Sequence, residues 1–411
     1  MKDRHTISRK MFLKGCGTTI IGLGLGSSCG RPAAGQNRDL SEGAPGLSSD
    51  SRDSVSGEKK TAYRTLGKAG IKVTELCFGA SRTMDPSLVH HALECGINYI
   101  DTGRSYYNGE NEFMVGKVIQ GRRQQVVVNS KLPRASVEKM QKDLETSLKA
   151  LRTDYIDCLL LHSADTAEDI VSDEVKRFFT RAREQGKVRT FGFSTHNNSL
   201  LETAAAEKFY EVVMLPYNFM GSYHHMLGGS YHEWDSQFLA RGIEICGQAG
   251  IDFIAIKSCS GGFKKEGGGP QTYRAALKWV LENPYVKSIA AAMGNFQQIE
   301  ENVQSMGEGA LLPGEKILLD SYAEHYGAWF CRMCGQCRGK CPRGVDVALV
   351  NRLHMYAVGY GGDMAREAHA TYVTLGKRGA AACVDCKTCR IECPYGLPLS
   401  TKLADAHALL G

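Results

Sequence analysis

The sequence predicts an α/β protein built from a (β/α)8 TIM barrel and a smaller, mainly helical domain that follows it. Two observations support this prediction. Eight apolar, strand-like segments alternate with amphipathic helical stretches over about 260 residues, which is the size of such a barrel. Two cysteine runs of identical spacing then follow, with a helical pattern between them.

The strand-like segments are apolar on both faces. Strands of this kind, separated by helices, are typical of a parallel sheet that is covered on both sides. They occupy residues 75–80, 98–102, 126–131, 155–162, 188–194, 212–217, 252–257 and 286–293. Before them, a polar–apolar alternation with a glycine-containing turn at residues 68–70 predicts a short hairpin leading into the first strand.

The stretches between the strands have the apolar spacing of helices. Met140, Leu144, Leu148 and Leu151 recur on one face of a helix. A second such stretch ends at Gly186, a residue type that commonly stops a helix. Each strand is thus followed by a helix, as the barrel requires.

Composition and charge limit the domain organisation and the classes of partner. The chain has 411 residues, enough for two or three domains, and 43% of them are hydrophobic, enough for a large core. The net charge is only +6 and the basic residues are scattered, so no nucleic-acid surface is indicated. We expect the barrel to occupy residues 61–318 and the second domain residues 319–411.

The N-terminal 29 residues have the layout of an export signal, with basic residues before a short, glycine-rich apolar run. Residues 8–14 resemble the twin-arginine signal, with Lys10 where the second arginine normally stands. Cys29 closes a segment that loosely resembles the lipobox of bacterial lipoproteins, which would imply a lipid anchor. The alternative is a disordered basic N-terminus. Residues 30–60 have few large apolar side chains and are interpreted as a disordered linker.

Polar side chains stand at the ends of three neighbouring strands, where barrel enzymes place their chemistry. These are Asp101, with Tyr106 in the loop after it, Lys131 and His162. A hydride arriving at a carbonyl carbon leaves an alkoxide, and a tyrosine can supply the proton it needs. We expect a neighbouring ammonium to lower the tyrosine pKa from about 10, and a carboxylate to hold that ammonium. The histidine would orient the carbonyl oxygen.

These residues lie in segments that resemble the aldo-keto reductase family. The matching segments are YRTLGKAGIKV, GINYIDTGRSYYNGENE, SLKALRTDYIDCLLLH, GKVRTFGFS and MGNFQQIEEN, and the resemblance covers roughly residues 61–312. It implies that Asp101, Tyr106, Lys131 and His162 are the catalytic tetrad. The family spacing favours Tyr106 over Tyr107. The alternative is a barrel that keeps these residues but has lost its chemistry.

The same resemblance implies NADP(H) as cofactor, but the binding positions are only partly preserved. Ser194, Gly294, Glu301 and Asn302 fit the family pattern. Gln298 replaces the arginine that grips the 2′-phosphate, and Lys257 replaces the aromatic residue under the nicotinamide. Losing both contacts should weaken NADPH binding on the order of 100-fold or more.

Two positive side chains near the tetrad leave two interpretations open. Lys257 and Arg104 could each be salt-bridged or point outward, or they could indicate an anionic substrate or a differently held cofactor. A loop with three histidines, His224, His225 and His232, could close over the substrate or hold a metal, the former being favoured.

Both cysteine runs read C-x2-C-x2-C-x3-C-P, a pattern typical of two-cluster ferredoxins, in which the fourth cysteine serves the other cluster. The predicted ligands of one [4Fe–4S] cluster are Cys331, Cys334, Cys337 and Cys393. Those of the second are Cys383, Cys386, Cys389 and Cys341. Zinc is the alternative, but four-cysteine zinc sites usually come as two separated C-x2-C pairs.

Together these features predict an exported oxidoreductase at the periplasmic or outer face of the bacterial membrane. It would interconvert a small carbonyl and an alcohol and exchange electrons through two clusters with a redox partner protein or a quinone-linked carrier. The competing class is an electron-transfer or partner-binding subunit whose barrel is catalytically silent.

Overall fold

A computed structural model of the chain describes residues 62–220, 236–259, 270–327, 330–332, 334–359, 362–386 and 389–411. The described residues belong to one compact unit. The predicted export signal at residues 1–29 with Cys29, the linker at residues 30–60, and the histidines His224, His225 and His232 lie outside them.

Ten strands lie in the described part of the chain. Their bounds are β1 Tyr63–Leu66, β2 Ile71–Thr74, β3 Leu76–Gly79, β4 Tyr99–Asp101, β5 Val127–Pro133, β6 Ile156–His162, β7 Val188–Ser194, β8 Val212–Pro216, β9 Asp252–Ile256 and β10 Val286–Ala291. Strands β3 to β10 form a closed barrel in chain order, with β10 pairing with β3, and every pairing is parallel. The predicted (β/α)8 barrel is therefore confirmed.

The predicted hairpin is present and covers the amino-terminal end of the barrel. Strands β1 and β2 pair antiparallel, and their apolar residues pack with the inward-facing residues of the barrel strands. The backbone N–H of Gly67 in the turn donates to the carboxylate of Asp252, the first residue of β9, at 2.7 Å. Gly67 has a φ of +65°, and a Cβ there would lie 2.3 Å from the Thr190 hydroxyl, so the turn requires glycine.

Thirteen helices lie in the described residues. Their bounds are α1 Pro86–Glu94, α2 Glu110–Val118, α3 Val137–Leu151, α4 Ala167–Val171, α5 Asp173–Glu184, α6 Leu200–Glu207, α7 Ser236–Gln248, α8 Pro270–Leu281, α9 Phe296–Val303, α10 Pro313–Gly327, α11 Val347–Gly359, α12 Gly362–Val373 and α13 Leu399–Leu410. The four apolar residues that predicted α3 are buried against the barrel core. None of the helices in the described segments is long and apolar enough to span a membrane.

Helix α10 connects the barrel to the C-terminal part of the chain, and the predicted boundary between residues 318 and 319 falls inside it. Lys278 of α8 pairs with Glu315 at 2.6 Å, and Leu319 packs with Ala275 and Ala276. Beyond α10, helices α11, α12 and α13 pack on one another. The C-terminal part is thus mainly helical, as predicted.

Candidate active site

The four predicted catalytic residues line one cavity at the carboxyl end of the barrel, with a volume of about 580 Å³. Asp101 ends β4, Lys131 lies in β5, and His162 ends β6. Parallel strands of a barrel have their carboxyl ends at the same mouth. The three neighbouring strands therefore bring these side chains together. Tyr106 reaches the cavity from the loop after β4, whereas Tyr107 is exposed.

Backbone hydrogen bonds hold the loop that carries Tyr106 against β5. The N–H of Thr102 donates to the carbonyl of Asn129, and the N–H of Arg104 donates to the carbonyl of Lys131, both at 2.9 Å. These bonds continue the β4–β5 ladder beyond the end of β4. The loop then turns back, and the N–H of Tyr106 donates to the carbonyl of Gly103.

Lys131 and Asp101 form a buried ion pair at the base of the cavity. The ammonium of Lys131 donates to the Asp101 carboxylate and, at 2.8 Å, to the carbonyl of Thr102. Burial, the largest single effect, lowers the pKa of Lys131, but the charges and hydrogen bonds of Asp101 and Tyr106 together outweigh it, and the pKa is raised. Lys131 is therefore a fixed positive charge at neutral pH.

Tyr106 lies between this ammonium and the ring of His162. The Lys131 Nζ atom is 4.8 Å from the centre of the Tyr106 ring, and the His162 ring meets Tyr106 edge-on at 5.7 Å. Burial raises the pKa of Tyr106, and the opposing effect of Lys131 does not overcome it. The expectation that this pKa falls is wrong, because burial is the larger effect. Tyr106 therefore holds its proton at neutral pH.

His162 is neutral at physiological pH. Burial, and then the charge of Lys131, lower the pKa of His162 to about 4. A neutral imidazole can donate one N–H to an oxygen in the cavity without adding charge to it.

Arg104 is salt-bridged and has a structural role, which is the first of the two interpretations given for the positive side chains. Its guanidinium pairs at 2.6 Å with Glu112, whose side chain is fully buried. Ser130 and Ser147 also donate to this carboxylate, at 2.6 and 3.1 Å. The guanidinium packs so closely on Gly109 that a Cβ there would lie 1.1 Å from it. Arg104 thus fixes the loop of Tyr106 rather than facing a substrate.

The predicted cofactor residues divide into two groups. Ser194, Lys257 and Asn302 line the cavity with the tetrad. Gly294, Gln298 and Glu301 are not among the residues that line it. Gln298 instead accepts the backbone N–H of Gly294 at 2.8 Å, and Glu301 accepts from Gln297 on the exposed side of α9.

Sequence reasoning missed four polar residues that line the cavity: Ser81, Arg82, His196 and Ser258. Arg82 lies in the loop after β3, His196 in the loop after β7, and Ser258 next to Lys257. The signal that could have found them is the one that found the tetrad, namely polar residues directly after a barrel strand. Lys257 itself faces the cavity, where its Nζ atom lies 3.0 Å from His196 Nε2.

The eight cysteines of the two runs line two cavities, and each cavity takes residues from both runs. One is lined by Cys331, Cys334, Cys337 and Cys393. The other, of about 690 Å³, is lined by Cys341, Cys383, Cys386 and Cys389. The fourth cysteine of each run therefore faces the first three of the other run, as the predicted ligand sets require.

The spacing of these cysteines bears on the zinc alternative. A zinc site draws its thiolates to about 2.3 Å from one ion. Among the described residues, no three His, Cys, Asp or Glu side chains are arranged to hold a single metal ion. A [4Fe–4S] cluster holds its thiolates on separate irons. Each cavity offers four cysteine thiols, one for each iron of a [4Fe–4S] cluster.

Comparison with known proteins agrees with the fold. Residues 79–271 match the model of the Aldo/keto reductase family, and the protein is an oxidoreductase. Residues 330–398 match the 4Fe-4S dicluster domain. The chain thus joins an aldo/keto reductase domain to a C-terminal dicluster domain.

Relatives resemble the barrel part of the chain. The uncharacterized oxidoreductase YqkF of Bacillus subtilis is 22% identical over 64% of this chain and 96% of its own length. L-galactose dehydrogenase of Arabidopsis thaliana is 24% identical over 61% of this chain and 89% of its own. Among solved structures, aldo-keto reductase AKR11C1 from Bacillus halodurans is 23% identical, with a TM-score of 0.54, and covers 64% of this chain and 96% of its own. An aldo/keto reductase from Klebsiella pneumoniae, solved with NADP and acetate, is 21% identical, with a TM-score of 0.51 and the same coverage. These two structures support the fold.

Proposed function

We propose that the protein interconverts a small carbonyl compound and an alcohol at the barrel mouth and exchanges electrons through two [4Fe–4S] clusters. The observation that supports the chemistry most directly is the packing of the Tyr106 phenol between the Lys131 ammonium and the His162 ring. This is the arrangement that protonation of a nascent alkoxide needs. The matched family and its oxidoreductase relatives support the same chemistry.

In this proposal each tetrad residue has a separate role. Neutral His162 donates a hydrogen bond to the carbonyl oxygen and sets its position. Tyr106 transfers its phenolic proton to that oxygen as negative charge develops. Lys131 stabilises the phenolate that remains, and Asp101 keeps Lys131 charged and in place. In the direction of alcohol oxidation the same groups act in reverse.

NADP(H) is the proposed hydride carrier, and a nicotinamide bound in the cavity would supply or accept the hydride at the carbonyl carbon. Ser194 and Asn302 line the cavity and would hold it. The Ser194 hydroxyl is already oriented, since it accepts the backbone N–H of Ser163 at 2.9 Å. Gln298 is engaged by Gly294 rather than placed as a phosphate clamp, so weak NADPH binding stays a prediction.

The proposed cluster ligands are the two four-cysteine sets that line the C-terminal cavities. The clusters would supply one-electron transfer to a redox partner. Two clusters that each accept one electron can together accept the two electrons released when one alcohol is oxidised. Positive side chains at the second cavity, among them Arg343 and Arg390, would offset the charge of the thiolates.

The test of the chemistry is a matched pair of tyrosine variants, Tyr106→Phe and Tyr107→Phe. Loss of the Tyr106 proton donor is expected to lower kcat for aldehyde reduction by about 10²-fold to 10⁴-fold. Tyr107→Phe changes an exposed neighbour and should keep the wild-type rate. Equal rates of aldehyde reduction by Tyr106→Phe and the wild type would leave only the alternative that the barrel is catalytically silent.

We also propose that residues 1–29 direct export and that the electron partner lies at the membrane, either a redox protein or a quinone-linked carrier. The supporting observation is the sequence pattern around Arg9 and Lys10. Replacing both by glutamine should retain the protein in the cytoplasm on cell fractionation. Cys29→Ser should release it from the membrane if that cysteine is acylated; an unchanged distribution of both variants would contradict the proposal.

A further inference from the structure

We propose that Lys257, His196 and Arg82 form a carboxylate-binding subsite beside the tetrad, so that the substrates are oxo acids and the corresponding hydroxy acids. The inference rests on the proposed carbonyl chemistry and adds the chemical class of the substrate. All three residues line the same cavity of about 580 Å³ as Tyr106 and His162.

Lys257 and His196 converge inside that cavity. The Lys257 Nζ atom lies 3.0 Å from His196 Nε2, although the two residues come from different strand ends, β9 and β7. An ammonium has three N–H donors and can bind more than one acceptor at once, so its contact with an imidazole is compatible with binding a ligand oxygen. Both side chains are partly buried, where a charge-assisted hydrogen bond is stronger than in water.

The backbone at Lys257 is held in an unusual conformation. Its φ is +57°, in the left-handed region that non-glycine residues rarely occupy. The amide of Asn218 donates to the Lys257 carbonyl at 3.2 Å and helps to hold this conformation. Such a conformation persists only where the surrounding structure imposes it, and here the Lys257 side chain lines the cavity.

Arg82 adds a second positive charge at the exposed edge of the cavity. Its loop is fixed by buried Asn111, which donates to the carbonyls of Ala80 and Thr83 at 3.0 and 2.9 Å. Burial, and then the charge of Arg82, lower the pKa of Lys257 to about 7. The two cations therefore oppose each other, and an anion bound between them would relieve that repulsion.

The remaining groups of the cavity favour an anionic ligand. Among the described residues that line it, Asp101 is the single carboxylate, and it is paired with Lys131. Ser258, also in the wall, has a buried hydroxyl for which the described residues offer no hydrogen-bond partner. A ligand with both a carboxylate and a carbonyl would use this cation cluster and the tetrad at once.

The first test measures binding without turnover. Benzoate and the neutral isostere benzamide are titrated calorimetrically into the full, cluster-containing protein and into Lys257→Met. Loss of a charged hydrogen bond should weaken benzoate binding to the variant by about 10-fold to 100-fold and leave benzamide binding unchanged. Lys257→Arg should restore most of the affinity for benzoate.

Lys208→Met is the matched control, because Lys208 is an exposed lysine with a φ of +51° that does not line the cavity. It should bind benzoate as the wild type does. Equal affinities of the wild type for benzoate and benzamide, or unchanged benzoate binding by Lys257→Met, would overturn the subsite. A Lys257→Met variant that loses affinity for NADPH but not for benzoate would also overturn the subsite, because the positive side chains would then bind the nucleotide.

Kinetics separates this inference from the proposed function. With 4-carboxybenzaldehyde and 4-carbamoylbenzaldehyde as a matched pair, Lys257→Met should raise KM for the acid only. If the wild type reduces both equally well and the variant does the same, the carbonyl chemistry stands and the subsite is wrong. If neither aldehyde is reduced, the proposed function fails, and the benzoate titration still decides the subsite.

Discussion

The ring of Phe219 packs against the ring of Tyr322, with 5.8 Å between their centres. Phe219 follows β8 at the carboxyl end of the barrel, whereas Tyr322 lies in α10, which leads to the first cysteine run. The C-terminal part of the chain therefore begins beside the loops of the candidate active site and not at the hairpin end. This arrangement is what electron exchange between the barrel and the clusters would need.

The Phe219–Tyr322 contact predicts how the two parts of the chain communicate. Tyr322→Ala should cost about 3 kcal/mol of packing energy at this junction, because it removes a large ring that is nearly buried. We expect a lower Tm and slower bleaching of the clusters by NADPH under anaerobic conditions. Aldehyde reduction by NADPH should be unaffected, since no tetrad residue is changed. An unaltered rate of bleaching would show that electron transfer from NADPH to the clusters does not depend on this junction.

A second prediction concerns Gly109 and the loop of the catalytic tyrosine. Gly109 has a φ of +93°, and a Cβ there would displace the Arg104 guanidinium from Glu112. Gly109→Ala should therefore lower kcat by about 10-fold or more through misplacement of Tyr106. The control is Gly121→Ala, which also has a positive φ but no atom within 4 Å.

The control separates backbone strain from loss of the Arg104 contact. Both alanine variants should lose about 1–2 kcal/mol of stability through the left-handed backbone. Gly109→Ala alone should lose activity. Equal kcat values in the two variants would mean that Arg104 does not position Tyr106.

The charge state of Lys257 predicts a pH dependence. Because its pKa is lowered to about 7, the free protein loses this positive charge as pH rises above about 7. We expect kcat/KM for 4-carboxybenzaldehyde to fall by up to about 10-fold per pH unit above that point, since kcat/KM reports the free enzyme. The neutral carbamoyl analogue should lack this inflection, and Lys257→Met should remove it for the acid. An inflection in the pH profiles of both substrates would indicate that a titrating group other than Lys257 is responsible.

The cysteine cavities predict which substitution removes which cluster. Cys341→Ser should remove the cluster of the second run, and Cys393→Ser that of the first, so each should lose about four of eight irons. The two variants should keep different EPR signals on reduction. Cys95→Ser, outside both runs, should keep all the iron. Loss of the cluster of the substituted cysteine's own run would contradict the crossed ligand sets.

The barrel could be predicted because its strands are apolar on both faces and are separated by helices with a regular apolar face, as with Met140 and Leu144 in α3. The tetrad could be predicted because three members lie at or near the carboxyl end of a strand and Tyr106 lies in the loop after one. In such a barrel, position along the strand fixes which mouth a side chain reaches. The spacing of the resembled family favours Tyr106 over Tyr107, and the structure leaves Tyr107 exposed.

What the sequence could not predict depends on contacts between distant loops. Arg82 and His196 are ordinary polar residues in the sequence, and only the closed barrel brings them to Lys257. The direction of the Tyr106 pKa depends on a balance between burial and charge that spacing does not reveal. The predicted boundary after residue 318 falls within α10, where Leu319 packs with Ala275 and Ala276.

The central claim is that the barrel and the clusters exchange electrons during carbonyl chemistry. The most direct measurement uses anaerobic protein that is reduced with dithionite, freed of excess reductant and supplied with a catalytic amount of NADP+ as hydride carrier. The visible absorbance of the clusters is followed before and after an aldehyde is added. The proposal predicts that the clusters are reoxidised as alcohol forms, with about two electrons per alcohol, and that Tyr106→Phe abolishes both changes. Alcohol formation from NADPH at the full wild-type rate, with clusters that stay reduced throughout, would contradict it.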